Sequence, residues 1–182
     1  ISNPYQYRDS RTENLMKEVL NLVPASDIYE KTGIQFLEIN TLYQLYADLR
    51  YRPWILDHAG SLLFMPDLFN FFMTGEKFNE YTISSTSQLM NPWHHNWSKD
   101  LLAQLKLPLK IFQERIYPGQ KWGDLKEDIK KECGLTQDIS VVAVGSHDTA
   151  SAVAAAPLAD TEESVFLSSG TWSLLGMELD SP

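Results

Sequence analysis

The sequence has one cysteine, few basic residues and no long apolar run, and each shortage excludes a class of protein. Cys133 alone cannot form an internal disulfide, so we expect a reducing compartment, the cytoplasm. Lys and Arg number 15 against 24 Asp and Glu, and a net charge of −9 argues against a nucleic-acid partner. The most apolar segment, LLFMPDLFNFFM (residues 62–73), is too short to span a bilayer and is interrupted by Pro66 and Asp67, so no membrane partner is predicted.

Three well-known glycine motifs are also missing. Neither G-x-x-x-x-G-K-[ST] nor G-x-G-x-x-G occurs, so neither a P-loop nor a Rossmann nucleotide site is supported. The nucleophile elbow G-x-S-x-G is absent around Ser146, because Val144 and Asp148 stand where its glycines would be. Adjacent residues such as Ser146, His147 and Asp148 cannot adopt the geometry of a catalytic triad, which excludes a serine hydrolase.

The two ends of the sequence carry no recognisable signals. It opens ISNPYQYRDSR, without a methionine and without the apolar core of a signal peptide, and it stops at Pro182. We therefore expect the chain to be a piece of a larger protein.

Apolar residues recur at helical spacing through the first two thirds of the chain. The S-x-x-E spacing of Ser10 and Glu13 predicts a capping box and a helix after it. Thr41 and Gln44 repeat the pattern, and Pro53 should end that second helix or lie just beyond it.

Two further helices are predicted downstream. Residues 62–72 indicate a largely buried helix closed by Gly75, with Phe69 and Phe72 in the core. Residues 124–133 indicate a shorter amphipathic helix.

The pattern changes at Ser140. A β-branched run predicts a buried strand of a parallel sheet, and a small-residue helix and two strands around a turn follow it. These segments are residues 141–144, the helix 149–156 ending before Pro157, and the strands 164–167 and 171–177 around the turn 168–170. The predicted fold class is therefore α/β, with many helices before the first clear strand.

A polar cluster, GSHDT (residues 145–149), lies between the strand and the helix. Ligands bind at that edge of open α/β sheets, because strand ends and helix N-termini converge there. Asp148 could be a general base, a metal ligand or only the N-cap of the helix, and His147 could be a ligand or a structural histidine.

A second cluster, FLSSGTWSLLG (residues 166–176), contains a Ser-Ser-Gly-Thr turn with three hydroxyls and free backbone N–H groups. Such donors suit phosphate oxygens, although an ordinary β-turn has the same composition. An aspartate base followed by a phosphate-binding turn indicates a phosphoryl-transfer enzyme.

Six segments, in this order, resemble the FGGY family of carbohydrate kinases. The resemblance runs from about residue 7 to about residue 176, nearly the whole chain. The segments are YRDSRT (7–12), GIQFLEINTLYQL (33–45), MPDLFNFFMTG (65–75), EYTISSTSQLMN (80–91), SHDTASAVAA (146–155) and LSSGTWSLLG (167–176).

The resemblance implies a fold of two actin-like, or ribonuclease-H-like, domains that close over a sugar and ATP. Residues 1–157 would form the C-terminal part of the N-terminal, sugar-binding domain, and residues 158–182 the beginning of the C-terminal, nucleotide-binding domain. The chain would then be an internal fragment, inactive by itself.

The resemblance also implies a reaction and its residues. The segments are most similar to members that phosphorylate a ketose, L-rhamnulose, at its 1-hydroxyl, as in L-rhamnose catabolism. Asp148 would be the general base, and His147 and Thr149 would contact the ketose. Thr171 would contact a nucleotide phosphate, with Gly170 leaving room for it. ATP and Mg²⁺ would be the cofactors, with the metal ligands mostly outside this fragment and none assigned within it.

Gln35 and Asn40 lie in the segment that approaches the sugar in this family. Either side chain could hydrogen-bond a ketose hydroxyl, and either could instead cap the helix that begins near Thr41.

Two other polar clusters could be either functional or purely structural. Arg8 and Arg11 could lie near the sugar or the domain interface, or could form a salt-bridged, solvated surface capped by Asp9 or Ser10. The pair His94 and His95 lacks further ligands at zinc spacing, and a surface loop is the better interpretation.

Two alternatives to an L-rhamnulose kinase stay open. One is a kinase of the same family for xylulose, ribulose, fuculose or glycerol, because a few polar contacts determine the sugar. The other is a non-catalytic sugar-sensing module on the same fold. The sequence does not indicate an oligomeric state.

Overall fold

The computed structural model describes residues 5–158, 164–170 and 172–179, and these residues form a mixed helix and sheet structure. This confirms the α/β class. In chain order the helices are α1 (Leu15–Leu22), α2 (Ala25–Thr32), α3 (Thr41–Tyr51), α4 (Pro53–His58), α5 (Met65–Thr74), α6 (Tyr81–Ser85), α7 (Lys99–Gln104), α8 (Glu127–Glu132) and α9 (Asp148–Ala154). The strands are β1 (Asn79–Glu80), β2 (Met90–Asn91), β3 (Asn96–Trp97), β4 (Arg115–Ile116), β5 (Lys121–Asp124), β6 (Ser140–Val142), β7 (Val165–Ser169) and β8 (Ser173–Met177).

The first helix begins later than its capping pattern predicts. Ser10 starts a three-residue 3-10 helix, whose N-cap Asp9 accepts a hydrogen bond from the backbone N–H of Arg11. Asn14 then adopts a left-handed φ of 65°, which turns the chain before α1 starts. The capping box predicted at Ser10 is therefore wrong, because a tighter local turn uses the same polar residues.

Helices α3 and α4 meet at Pro53, as predicted. Asn40, rather than Thr41, occupies the N-cap position of α3. Its side chain makes no capping bond, because the N–H of Leu42 donates instead to the carbonyl of Ser87 at 3.0 Å. Pro53 is the first residue of α4, a position where a missing backbone N–H costs nothing.

The main hydrophobic core lies between α1, α2, α3, α4 and α7. Leu15 and Val19, one turn apart on α1, are fully buried, as are Leu42 and Tyr43 of α3. Burial of each such apolar side chain contributes about 1.5–3 kcal/mol. The helical stripe predicted for α3 is thereby confirmed, as is that of α1 except at its last residue, Leu22, which is 57% exposed.

A smaller core carries the β5–β6 pair. Trp122 of β5 is 2% exposed, packs edge-on against Phe78 with ring centroids 5.6 Å apart, and donates its indole N–H to the carbonyl of Glu76 at 3.1 Å. Ala143, directly after β6, is 1% exposed in the same cluster. The end of β6 is thus held against a rigid tryptophan.

The strand predicted as buried and parallel differs in both respects. β6 pairs antiparallel with β5, its near neighbour in sequence, with Asp124 opposite Ser140. Burial alternates along this segment, because Ala143 is buried while Val142 is 48% and Val144 66% exposed. Since Asp124 belongs to β5, α8 is also shorter than the helix predicted over residues 124–133.

Helix α5 exposes to solvent the face that was predicted to be buried. Phe69 and Phe72 are 60% and 52% exposed, whereas Asp67 is fully buried. Residues at i, i+3 and i+4 share a helix face, so an inward Asp67 turns the two phenylalanines outward. Gly75, at a left-handed φ of 84°, closes the helix as predicted.

The last two strands form the predicted hairpin with a shifted turn. Ser168 and Ser169 belong to β7, and Ser169 pairs with Ser173, so the turn starts after Ser169 rather than at Ser168. The Gly170 N–H donates to the carbonyl of Trp172 at 2.7 Å and closes it. No helix among residues 5–158, 164–170 and 172–179 is long and apolar enough to cross a membrane.

Candidate active site

The candidate site is the loop GSHDT (residues 145–149), which joins β6 to α9. Asp148 is exposed and is the first residue of α9, while His147 occupies the N-cap position. The interpretation of Asp148 as a simple N-cap is therefore wrong. Its Oδ1 accepts hydrogen bonds from Thr149, at 2.7 Å from the backbone nitrogen and 3.4 Å from Oγ1. The carboxylate is thus open to solvent at the helix N-terminus, where it can reach a bound molecule.

A buried glutamate holds the loop from beneath. Glu80 is 1% exposed, and its Oε2 accepts hydrogen bonds from the Ser146 hydroxyl at 2.6 Å and the Ser146 backbone N–H at 3.2 Å. The two residues are 66 positions apart in sequence. Glu80 also accepts from Thr82 and Ile83 at the start of α6, so one carboxylate joins two helix N-termini.

Thr82 makes a second link to the loop. Its hydroxyl donates to Glu80 Oε2 at 2.6 Å and accepts a hydrogen bond from the backbone N–H of His147 at 3.1 Å. The backbone on the N-terminal side of Asp148 is therefore fixed at two consecutive residues.

Gly145 packs closely against Ser151 within the loop. A Cβ at this position would lie 2.7 Å from the Ser151 Oγ, which donates to the Gly145 carbonyl at 2.8 Å. The Ser151 hydroxyl therefore links the first turn of α9 to the loop, and a side chain at residue 145 would disturb that link.

Behind Glu80 lies a second buried acid. Asp67 is fully buried, and its Oδ1 accepts a hydrogen bond from the Glu80 backbone N–H at 3.1 Å. Its Oδ2 accepts from the Asn79 amide at 2.9 Å and from the Phe64 N–H at 3.3 Å. Burial raises the pKa of Asp67 to about 6, although the hydrogen bond from Asn79 and those from the two backbone groups oppose the rise.

Sequence reasoning did not select Glu80, Thr82 or Asp67. The segment EYTISSTSQLMN contributed to the family resemblance, and an acid directly before a Thr-containing helix start is a recognisable capping pattern. The connection to a loop 66 residues away has no local signal.

The structure places Asn40 and Gln35 beside each other. Asn40 is 8% exposed, and its amide donates to the carbonyl of Gln35 at 2.9 Å and to the Gln88 side chain at 3.1 Å. These bonds hold the turn before α3 and leave the Gln35 side chain exposed. Contact of either residue with a sugar stays a prediction.

The predicted nucleotide contact at Thr171 lies outside the described residues. Gly170 is exposed, and within the described chain no heavy atom lies within 4 Å of the place that a Cβ would take. The chain itself therefore does not require glycine there, and a contact between Gly170 and a nucleotide stays a prediction.

The two arginines near the start of the chain, Arg8 and Arg11, make different contacts. Arg11 bonds to Asp48 and Gln44, each at 2.8 Å, but its side chain is only 15% exposed, so the expected salt bridge is present and the expected solvated surface is not. Arg8 lies over the ring of Trp172, with 5.4 Å from its guanidinium carbon to the ring centroid. A role for Arg8 in sugar binding stays a prediction.

The histidine pair lies in a turn between β2 and β3. His95 has a left-handed φ of 47° and packs on Tyr81 with ring centroids 5.3 Å apart, and both histidines are exposed. Throughout the described segments, no group of three or more His, Cys, Asp or Glu side chains could hold a metal ion. A nucleotide-bound Mg²⁺ takes one or two carboxylates plus phosphate and water oxygens. No residue of this chain is assigned as a metal ligand, and no step below depends on the metal.

A cleft of about 570 Å³ lies elsewhere, lined by residues that include Tyr29, Tyr81, Trp93 and Met177. Asp148 does not line it. We assign the candidate site to the GSHDT loop on chemical grounds, since the cleft wall is mainly apolar and offers no exposed carboxylate.

Comparisons with known proteins identify the family of the chain and its fold. A family model described as the N-terminal domain of the FGGY family of carbohydrate kinases matches residues 2–155. The chain is 43% identical over 183 residues to a rhamnulokinase from Halalkalibacterium halodurans and 41% identical over 182 residues to one from Bacteroides thetaiotaomicron. The whole chain is covered in both comparisons, but it spans only 38% and 37% of those relatives' lengths.

Solved structures show the same fold. A carbohydrate kinase from Novosphingobium aromaticivorans matches all of the chain and 38% of its own length, with a TM-score of 0.79 and 24% identity. A xylulose kinase from Lactobacillus acidophilus matches 79% of the chain and 29% of its own length, with a TM-score of 0.72 and 19% identity. The family model covers most of the chain, and the resemblance drawn from the six segments is confirmed: the chain belongs to the FGGY family of carbohydrate kinases.

Proposed function

We propose that the protein containing this chain phosphorylates a ketose hydroxyl with ATP, and that its substrate is L-rhamnulose, giving L-rhamnulose 1-phosphate. The observation that carries the proposal is the exposed Asp148 carboxylate at the start of α9, on a loop fixed by Glu80 and Thr82. The choice of sugar rests on the relatives named rhamnulokinase, which are 40–43% identical over the whole chain.

Asp148 acts as the general base in this proposal. It accepts the proton of the sugar hydroxyl as that oxygen attacks the γ-phosphorus of ATP. A carboxylate is a weak base toward an alcohol, so the proton moves late, and positioning supplies most of the acceleration. A loop anchored at Ser146 and His147 suits that task, because it holds Asp148 without reorganisation during the reaction.

The neighbouring residues receive binding roles. His147 and Thr149 flank the base and contact the ketose, and Gln35 and Asn40 contribute from the turn before α3. Residues 1–157 belong to the sugar-binding domain and residues 158–182 begin the nucleotide-binding domain, where Thr171 and Gly170 meet the phosphates of ATP. The divalent ion expected with ATP is Mg²⁺, held mostly by groups outside this chain. It neutralises phosphate charge when bound.

The test is ADP release by the full-length protein over a panel of L-rhamnulose, xylulose, ribulose, fuculose and glycerol. The Asp148→Asn variant should lose turnover and keep sugar binding. Asp57→Asn also removes an exposed carboxylate, at the end of α4 rather than in the loop, and it serves as the control that should keep turnover. Activity on another sugar would correct the substrate. Folded protein without activity on any sugar would favour a sensing module.

A further inference from the structure

We propose that Glu80 and Thr82 are positioning residues for Asp148, an inference that rests on the proposed function. Neither side chain needs to touch the sugar or ATP. Together they determine where the backbone carries the Asp148 carboxylate at the start of α9.

The carboxylate of Glu80 acts only as an acceptor. Its partners are the N–H and hydroxyl of Thr82, the N–H of Ile83, and the N–H and hydroxyl of Ser146, at 2.6–3.2 Å. All of these groups can donate, and two of them belong to the candidate loop. A carboxamide in the same place would direct a donor toward some of those donors, so Glu80→Gln would disturb the loop without changing side-chain volume.

Thr82 extends the contact one residue closer to the base. Its hydroxyl donates to Glu80 and accepts from the His147 N–H, so a single oxygen connects the buried acid to the residue preceding Asp148. Replacing that hydroxyl by a methyl group would leave the partly buried His147 N–H without its acceptor.

The acid is itself held rigidly. The Glu80 N–H donates to the fully buried Asp67, which in turn accepts from Asn79. Asn79 of β1 pairs with Arg115 of β4. The anchor of the loop is therefore part of the buried framework rather than of a surface contact.

The Asp148 side chain has little support of its own. It is exposed and bonds only to its neighbour Thr149 among the described residues, so its position follows the backbone at Ser146 and His147. A displacement of about 1 Å in a reacting group can cost about 10²-fold in rate.

The test compares Glu80→Gln, Thr82→Val and Thr82→Ser in the full-length protein. We expect kcat to fall by about 10–100-fold in Glu80→Gln and Thr82→Val, with the KM for the sugar changed much less. Thr82→Ser keeps the hydroxyl and should recover most of the wild-type kcat. Leu101→Ala, in the fully buried core of α7, is the control that should lower the melting temperature while kcat is kept.

The outcomes separate this inference from the proposed function. Active wild-type protein with unchanged kcat in Thr82→Val would overturn the positioning role alone, even if that variant melted earlier. Wild-type protein inactive on every sugar would overturn both. Should Glu80→Gln not fold, the pair Thr82→Val and Thr82→Ser decides, because these variants differ from wild type by a single group.

Discussion

Asp67 makes the stability of the chain depend on pH in an unusual direction. Its carboxyl group is fully buried in α5, and burial raises its pKa from the ordinary 3.8 to about 6. The folded chain therefore binds this proton more tightly than the unfolded chain does. The free energy of unfolding should contain a contribution that is complete below about pH 4 and is lost as the pH rises through about 6.

The magnitude follows from the two pKa values. Each tenfold change in proton affinity corresponds to about 1.4 kcal/mol, so the difference between 3.8 and about 6 is worth about 3 kcal/mol. Most carboxylates that gain partners on folding act in the opposite sense and lose stability on acidification.

Asp67→Asn isolates the effect, because the amide has nearly the same shape and does not titrate. Urea unfolding of the 182-residue chain should be followed from about pH 3 to about pH 7 in wild type and variant. Relative to the variant, wild type should lose about 3 kcal/mol over that interval. Asp57→Asn, at an exposed position, should run parallel to wild type. Parallel curves for Asp67→Asn, or a relative gain by wild type with rising pH, would refute the argument.

Two further predictions concern the loop and the surface. Gly145→Ala forces the Ser151 hydroxyl away from the Gly145 carbonyl, so it should lower the free energy of unfolding, measured in urea, by about 1 kcal/mol. This loss should be smaller when Ser151 is already replaced by alanine. As a control, Gly170→Ala should cost almost nothing, because a Cβ there meets no atom within 4 Å. The hydrogen bond from the Lys31 ammonium holds the pKa of Asp100 at about 2, so Lys31→Ala should return that pKa toward its ordinary value in an NMR titration. An unchanged titration midpoint would contradict the assigned cause. In wild type, the stabilisation from this ion pair should be present above about pH 4 and lost as the pH falls through about 2.

Local patterns predicted the parts of the fold that depend on neighbours in sequence. The stripe of α1, the break at Pro53 and the closure of α5 by Gly75 all follow from spacing or backbone preference within a few residues. The predicted start of α1 was wrong because several polar residues can cap a helix in this segment. The left-handed backbone at Asn14 determines that the helix begins at Leu15.

The inward face of α5 could not be predicted, because hydrophobicity does not reveal which neighbours a helix will meet. Asp67 is buried since Asn79 and the Glu80 N–H lie opposite it, and that turns Phe69 outward. These partners are brought together by tertiary packing alone.

In the candidate site too, only the features that depend on neighbours in sequence could be predicted. The polar cluster at Asp148 was evident from its apolar flanks and its position between strand and helix, whereas Glu80 and Thr82 were not. Their link to Ser146 spans 66 positions, and no spacing rule reaches that far.

We propose that Asp148 is the base of a ketose kinase. Its most direct test is a single-turnover measurement of phosphoryl transfer from ATP to L-rhamnulose by the full-length protein, with the dissociation constant for the sugar measured alongside. We predict that Asp148→Asn binds L-rhamnulose as wild type does while the transfer rate falls by about 10²–10⁴-fold. Transfer retained at the wild-type rate in Asp148→Asn would contradict the account.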